Sequence, residues 1–142
     1  MVVCMKSIRN KYGNKKKIVD GVKFDSELEA YCYKILTLLK IEFEFQKSIL
    51  LMERFRYDNK WIRETTAIVD FVIKHNEETI YLDTKGFATE VSKIKYKMLK
   101  NILKDEKNNR VVWLHSKKEV TDFLNNLKTN QNVNDQQSSI TW

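Results

Sequence analysis

Asp70 and the triplet Asp83-Thr84-Lys85 are the residues of this 142-residue chain whose types and spacing could do chemistry together. They lie in two strand-like stretches, 66–74 and 79–83, separated by a short polar segment, 75–78, that reads as a tight turn. If that turn closes an antiparallel hairpin, Lys74 faces Thr79, Val72 faces Tyr81, and Asp70 lies opposite Asp83. Directly paired residues point to one face with Cβ atoms about 4.5–5.5 Å apart, and the period of two adds Lys85 to that face. Two carboxylates side by side in apolar strands are destabilising unless something positive sits between them. Oxygen-only ligation suits Mg²⁺, with Mn²⁺ as a substitute. Such an ion polarises a phosphoryl oxygen and acidifies water, and Lys85 could orient that water or meet the charge gathering on phosphate. The rival arrangement is two exposed carboxylates at a sheet end, partly neutralised by Lys85.

A third acid would complete such a centre. Glu29 stands in the first turn of an expected helix and could reach the sheet, but Ser26-x-x-Glu29 also fits a capping box. Glu27 is an equally placed rival that the apolar stripe does not exclude. The helix carries Leu28, Cys32, Ile35, Leu36 and Leu39 on one face. Then come alternating Ile41, Phe43 and Phe45, an apolar run over 49–52, and a charged, aromatic stretch over 53–63 that reads as a strand pair. In 66–74, Ala67, Val69, Phe71 and Ile73 fall on one face. Thr89 opens a helix with Val91, Ile94, Met98, Leu99, Ile102 and Leu103 as its apolar face. A strand over 110–114 and a helix opened by Ser116 and Glu119 close an α-β-β-β-β-α-β-α order, an α/β protein. The polar segment 129–142 reads as a disordered tail.

The formal charge is +7, and residues 1–23 hold seven cations against Asp20 alone. The excess is thus an N-terminal arm containing Lys11, Lys15, Lys16 and Lys17, ahead of a domain over 24–128. Such an arm suits a polyanion, since each phosphate contact releases a counterion. Lys93, Lys95 and Lys97 could extend that surface along the second helix; a solvated helix face is the competing reading. No apolar run approaches the length of a bilayer span and no signal-peptide pattern opens the chain. Two cysteines, Cys4 and Cys32, do not make a disulfide scaffold. The expectation is a cytoplasmic protein. The absence of a Gly-rich phosphate loop argues against a nucleotide cofactor.

The acidic helix residue, then Asp70, then Asp83-x-Lys85 resembles the PD-(D/E)XK nuclease superfamily. The likeness extends to a small, mostly phage-borne group within it. Lys11-Tyr12-Gly13-Asn14-Lys15, the run Gly21-Val22-Lys23-Phe24-Asp25-Ser26-Glu27-Leu28-Glu29-Ala30, Gln46, Asp70-Phe71 and Asp83-Thr84-Lys85-Gly86 match it. So does Lys95 in the following helix. Two positions depart: Val69 stands where the superfamily's name has proline, and Asp83 replaces the commoner glutamate. The resemblance implies a restriction-endonuclease-like core, a central mixed β-sheet flanked by helices. It implies Asp70 and Asp83 as principal metal ligands, Glu29 rather than Glu27 on the metal or its water, Lys85 as the catalytic lysine and Gln46 beside the site. The activity expected is Mg²⁺-dependent endonucleolytic hydrolysis of DNA, like that of Holliday-junction resolvases in phage recombination, by a homodimer on branched or duplex DNA. Alternatives are an end-cleaving subunit of a recombination, transposition or packaging assembly, and a non-catalytic DNA-binding or inhibitor protein.

Overall fold

Asp20 and Gly21 both take positive φ (51° and 77°), the requirement of a two-residue hairpin turn whose twist matches its strands. They join β1 (Lys17–Val19) to β2 (Val22–Phe24) at the start of a computed structural model that describes residues 17–138. The end of the expected flexible arm is therefore a hairpin. Lys11, Lys15 and Lys16 lie outside the described residues.

Ser26 then caps α1 (Glu27–Leu38), its hydroxyl accepting from the Glu29 N–H at 3.1 Å. The elements that follow are β3 (Phe43–Met52), β4 (Phe55–Tyr57), β5 (Lys60–Ile62), β6 (Thr65–His75), β7 (Glu78–Thr84), α2 (Glu90–Leu103), β8 (Asn109–Leu114) and α3 (Lys117–Ser138). One four-stranded sheet runs β3-β6-β7-β8, while β4 and β5 form a separate two-stranded hairpin. The first two pairings are antiparallel and β7–β8 is parallel, with α2 as the crossover that a parallel pair needs. This is an α/β fold with a mixed central sheet flanked by helices. No helix among the described residues is long and apolar enough to cross a membrane.

Adjacent strand residues point to opposite faces, so the two apolar clusters assign the helices. Cys32 and Leu36 of α1 and Val120 and Leu124 of α3 pack on Phe71, Ile73, Ile80 and Leu82. Leu99 and Leu103 of α2 pack on Leu51, Ala67, Val69 and Val72 across the sheet. Ala67 and Val69 thus do not share a face with Phe71 and Ile73: β6 changes its buried side at Asp70. β3 does the same, with Phe43 and Phe45 on the first cluster and Ile49 and Leu51 on the second. Between them Gln46 has φ +52°, and Gln46 and Asp70 drop out of a ladder that resumes at Lys47↔Val69. The two short apolar runs read separately are therefore one strand, whose alternation breaks where it changes faces.

Two further expectations change. Val91 and Ile94 are exposed, because α2 turns Leu99 and Leu103 to the sheet and its first turns overhang the groove described below. α3 continues past Thr129 to Ser138, so the polar segment is helical that far. Once Val120, Leu124 and Leu127 anchor the helix, elongation needs no further apolar residues.

Candidate active site

The β6–β7 turn is closed by Asn76 and Glu77, both at positive φ, and gives the register His75↔Glu78, Lys74↔Thr79, Val72↔Tyr81 and Phe71↔Leu82. Continued by one step, that register brings Asp70 toward Asp83, near enough for the Asp83 carboxyl to raise Asp70. The irregularity at Asp70 alters which way it looks. Its Oδ2 accepts from the Thr84 N–H (2.8 Å) and the Thr84 hydroxyl (2.9 Å). Asp70 lines an 810 Å³ groove with Glu29, Thr84, Lys85, His115 and Lys117. Asp83 lines a second groove of 310 Å³ with Lys85, Lys95, Tyr96 and Trp113. The two acids therefore do not share one groove, as simple pairing implies. The two grooves adjoin, and Lys85 borders both.

Each acid is held differently. Asp83 Oδ2 accepts from the Trp113 indole N–H at 3.3 Å, and the Trp113 ring lies 4.1 Å from that of Tyr96. Asp83 Oδ1 is buried with no donor among the described residues. Burial first, then the Asp83 carboxyl, pushes Asp70 well above the usual carboxylate range against the pull of the two Thr84 donors. Glu29 is 3% exposed. Its Oε1 accepts from Gln46 Nε2 (3.1 Å) and its Oε2 from the Asp25 N–H (3.2 Å). Burial, followed by the Asp70 charge, raises it to about 7. Glu27 is on the surface, 3.4 Å from Lys117 Nζ, which separates the two candidate glutamates.

Lys85 is fixed through its backbone. Its N–H donates to Leu114 O at 2.9 Å, and its carbonyl lies 2.7 Å from His115 Nδ1. Its ammonium has no ion pair among the described residues. The chemistry of the donor set fits a divalent cation: two neighbouring carboxyls, one with a buried oxygen that finds no donor among the described residues. Asp70 and Asp83 would hold it. Among the described residues no three His, Cys, Asp or Glu side chains are arranged to ligate a metal, and both Glu29 oxygens are taken by Gln46 and Asp25.

The lysines sort into different places. Lys95 borders the Asp83 groove, Lys93 pairs with Glu90 at 2.9 Å, and Lys97 is exposed on α2. Lys17 opens β1. Sequence reasoning missed Thr84, His115, Tyr96 and the tie from Trp113 to Asp83. Trp113 is the parallel-strand partner of Asp83, a register set by the path of α2 and not by any local pattern.

The family described as "Protein of unknown function (DUF1064)" matches residues 9–121. The chain belongs to the DUF1064 family. No curated protein and no solved structure matches it. The span that makes it a DUF1064 chain takes in Glu29, Gln46, Asp70, Asp83 and Lys85 and ends in the first turns of α3.

Proposed function

We propose that this protein is a divalent-metal-dependent endonuclease that hydrolyses DNA phosphodiesters on a restriction-endonuclease-like core, with Mg²⁺ as its ion and Mn²⁺ able to replace it. The observation that carries the reading is the convergence of Asp70 and Asp83, which the β6–β7 register brings toward each other so that the Asp83 carboxyl raises Asp70. Lys85, whose ammonium has no ion pair among the described residues, borders both of the grooves that the two acids line. The resemblance of the motifs to the PD-(D/E)XK superfamily supports it. A cation held by Asp70 and Asp83 would supply Lewis acidity toward the scissile phosphate and toward water. Lys85 faces the same junction and would stabilise charge developing on the phosphate. Glu29, raised to about 7, can take a proton at neutral pH, where a general base works best. Gln46 holds its Oε1 in place. Trp113 and Thr84 orient the two aspartates.

Branched DNA of the Holliday-junction type is the preferred substrate, cut by a homodimer that places one such site on each of two strands. The test is a cleavage panel of four-way junctions, flaps, single strands and plain duplex with Mg²⁺ and with EDTA. Wild type should cut with Mg²⁺ alone. Asp83→Ala and Lys85→Ala should abolish cutting while binding persists. A wild type that binds these DNAs yet cuts none with Mg²⁺ or Mn²⁺ is a binding protein and overturns the reading.

A further inference from the structure

The β4–β5 hairpin lies outside the central sheet, and all six of its strand residues are exposed. Its turn, Asp58-Asn59, has φ of 49° and 58°, a tight and well-defined closure. Arg56 pairs with Trp61, so both side chains point to one face. Phe55 and Ile62, and Tyr57 and Lys60, are the pairs of the other face. On the first face the guanidiniums of Arg54 and Arg56 lie 4.8 and 5.5 Å from the centroid of the Trp61 ring. Among the described residues no carboxylate forms an ion pair with either arginine. Trp61 is 60% exposed and Tyr57 72%. Two guanidiniums over one exposed indole make this face a cationic aromatic surface.

The hairpin also has a fixed relation to the acids. β6 begins at Thr65, immediately beyond it, and Thr66, Ala67, Ile68 and Val69 line the same groove as Asp83 and Lys85. The groove thus runs from the acids toward the hairpin, with roughly 17 Å of strand between Thr65 and Asp70 at ~3.3 Å per residue. A polyanion that continues past the Thr66 end of the groove meets the chain segment that carries Arg54 and Arg56. With both guanidiniums over the ring, a base that stacks on the indole takes their place and releases them toward its phosphates, so one face offers both stacking and charge.

We infer that the β4–β5 hairpin is a binding site for unpaired nucleobases, with Trp61 stacking on a base and Arg54 and Arg56 contacting its flanking phosphates. It would direct the chain to branch points at which bases are unpaired. The inference deepens the nuclease reading but depends on it only for DNA as the ligand. The experiment measures binding in EDTA, by fluorescence anisotropy, of the full chain to a forked duplex and to a fully paired duplex of the same sequence. Wild type should prefer the fork by about tenfold or more. Trp61→Ala should erase most of that preference and Trp61→Phe should keep most of it. The double variant Arg54→Ala/Arg56→Ala should weaken binding to the fork and flatten its salt dependence. The hairpin lies outside both apolar clusters, so these variants should keep the wild-type far-UV circular dichroism. A fork-to-duplex ratio that is unity in wild type, or unchanged in Trp61→Ala, overturns the inference even if the protein cuts DNA. So does a Trp61→Ala change that alters self-association and leaves DNA binding intact, which would make the face a protein interface. A Trp61-dependent fork preference in a protein that never cuts upholds the hairpin and removes the nuclease.

Discussion

Ser26-Glu27-Leu28-Glu29 and Ser116-Lys117-Lys118-Glu119 open α1 and α3 with one pattern and one geometry. In each, the serine hydroxyl accepts from the glutamate N–H, at 3.1 and 3.2 Å. In each, the glutamate carboxylate accepts from the residue before the cap, Asp25 at 3.2 Å and His115 at 2.7 Å. The outcomes diverge because of what lies beyond the helix. Glu119 is exposed, whereas Glu29 is buried against Gln46 and feels Asp70. A capping glutamate and a site glutamate are thus not exclusive roles. The same bond that closes the α1 terminus aims Glu29 at the sheet.

That contrast can be broken most sharply by activity. Glu29→Gln should lower cleavage by a factor of roughly 10² or more, the scale of a lost proton-transfer group. Glu119→Gln should stay within about threefold of wild type. Equal losses in the two variants would show that capping alone explains both residues.

Stability against pH separates them next. An acid whose folded pKa is raised binds its proton more tightly in the native state. Its stabilisation is complete below the unfolded value of 4.5 and is lost as pH rises to about 7. Asp70 acts in the same direction. Urea unfolding should therefore show wild type losing stability from pH 4.5 to 7.5. Glu29→Gln should remove on the order of 1–3 kcal/mol of that loss, since one pKa unit is about 1.4 kcal/mol. Added Mg²⁺ should raise the melting temperature at pH 8 more than at pH 5, and an equal shift at both would argue against a carboxylate site.

Ser26→Ala and Ser116→Ala, by contrast, should each cost about 1 kcal/mol, because the caps themselves are alike. The smallest effect is expected from Gln46→Ala. Removing the amide that stabilises ionised Glu29 should move the acidic limb of the pH–rate profile upward, while the corresponding limb in Glu119→Gln stays put.

What was readable in the chain was local. The Asn76-Glu77 turn is a two-residue hairpin closure, and it set the register that brings Asp70 to Asp83. Ser26, Thr89 and Ser116 marked helix starts through their hydroxyls. Asp20-Gly21 is as strong a hairpin signal, yet it lies at the end of a stretch whose dominant pattern is positive charge. The reversal of faces at Gln46 and Asp70 was not readable. Alternation along one strand says which residues share a side only while the pleat is regular. The buried face of α2 was obscured for a related reason: six apolar residues offered a stripe, and the groove beneath its first turns leaves Val91 and Ile94 in water. Trp113 reaches Asp83 through a parallel pairing set by a crossover helix, and crossover paths leave no trace in short-range spacing.

The matched irregularity in β3 and β6 also works as a keyway. Sliding β3 by one residue would set its left-handed Gln46 against the regular backbone of Val69 or Phe71, and would turn Phe43 and Phe45 out of one core and Ile49 and Leu51 out of the other. Both halves of the sheet would object to the slip at once. The two strands are therefore locked in alignment at the level of the acids, and the position of Gln46 beneath Glu29 is as well determined as the packing of either core.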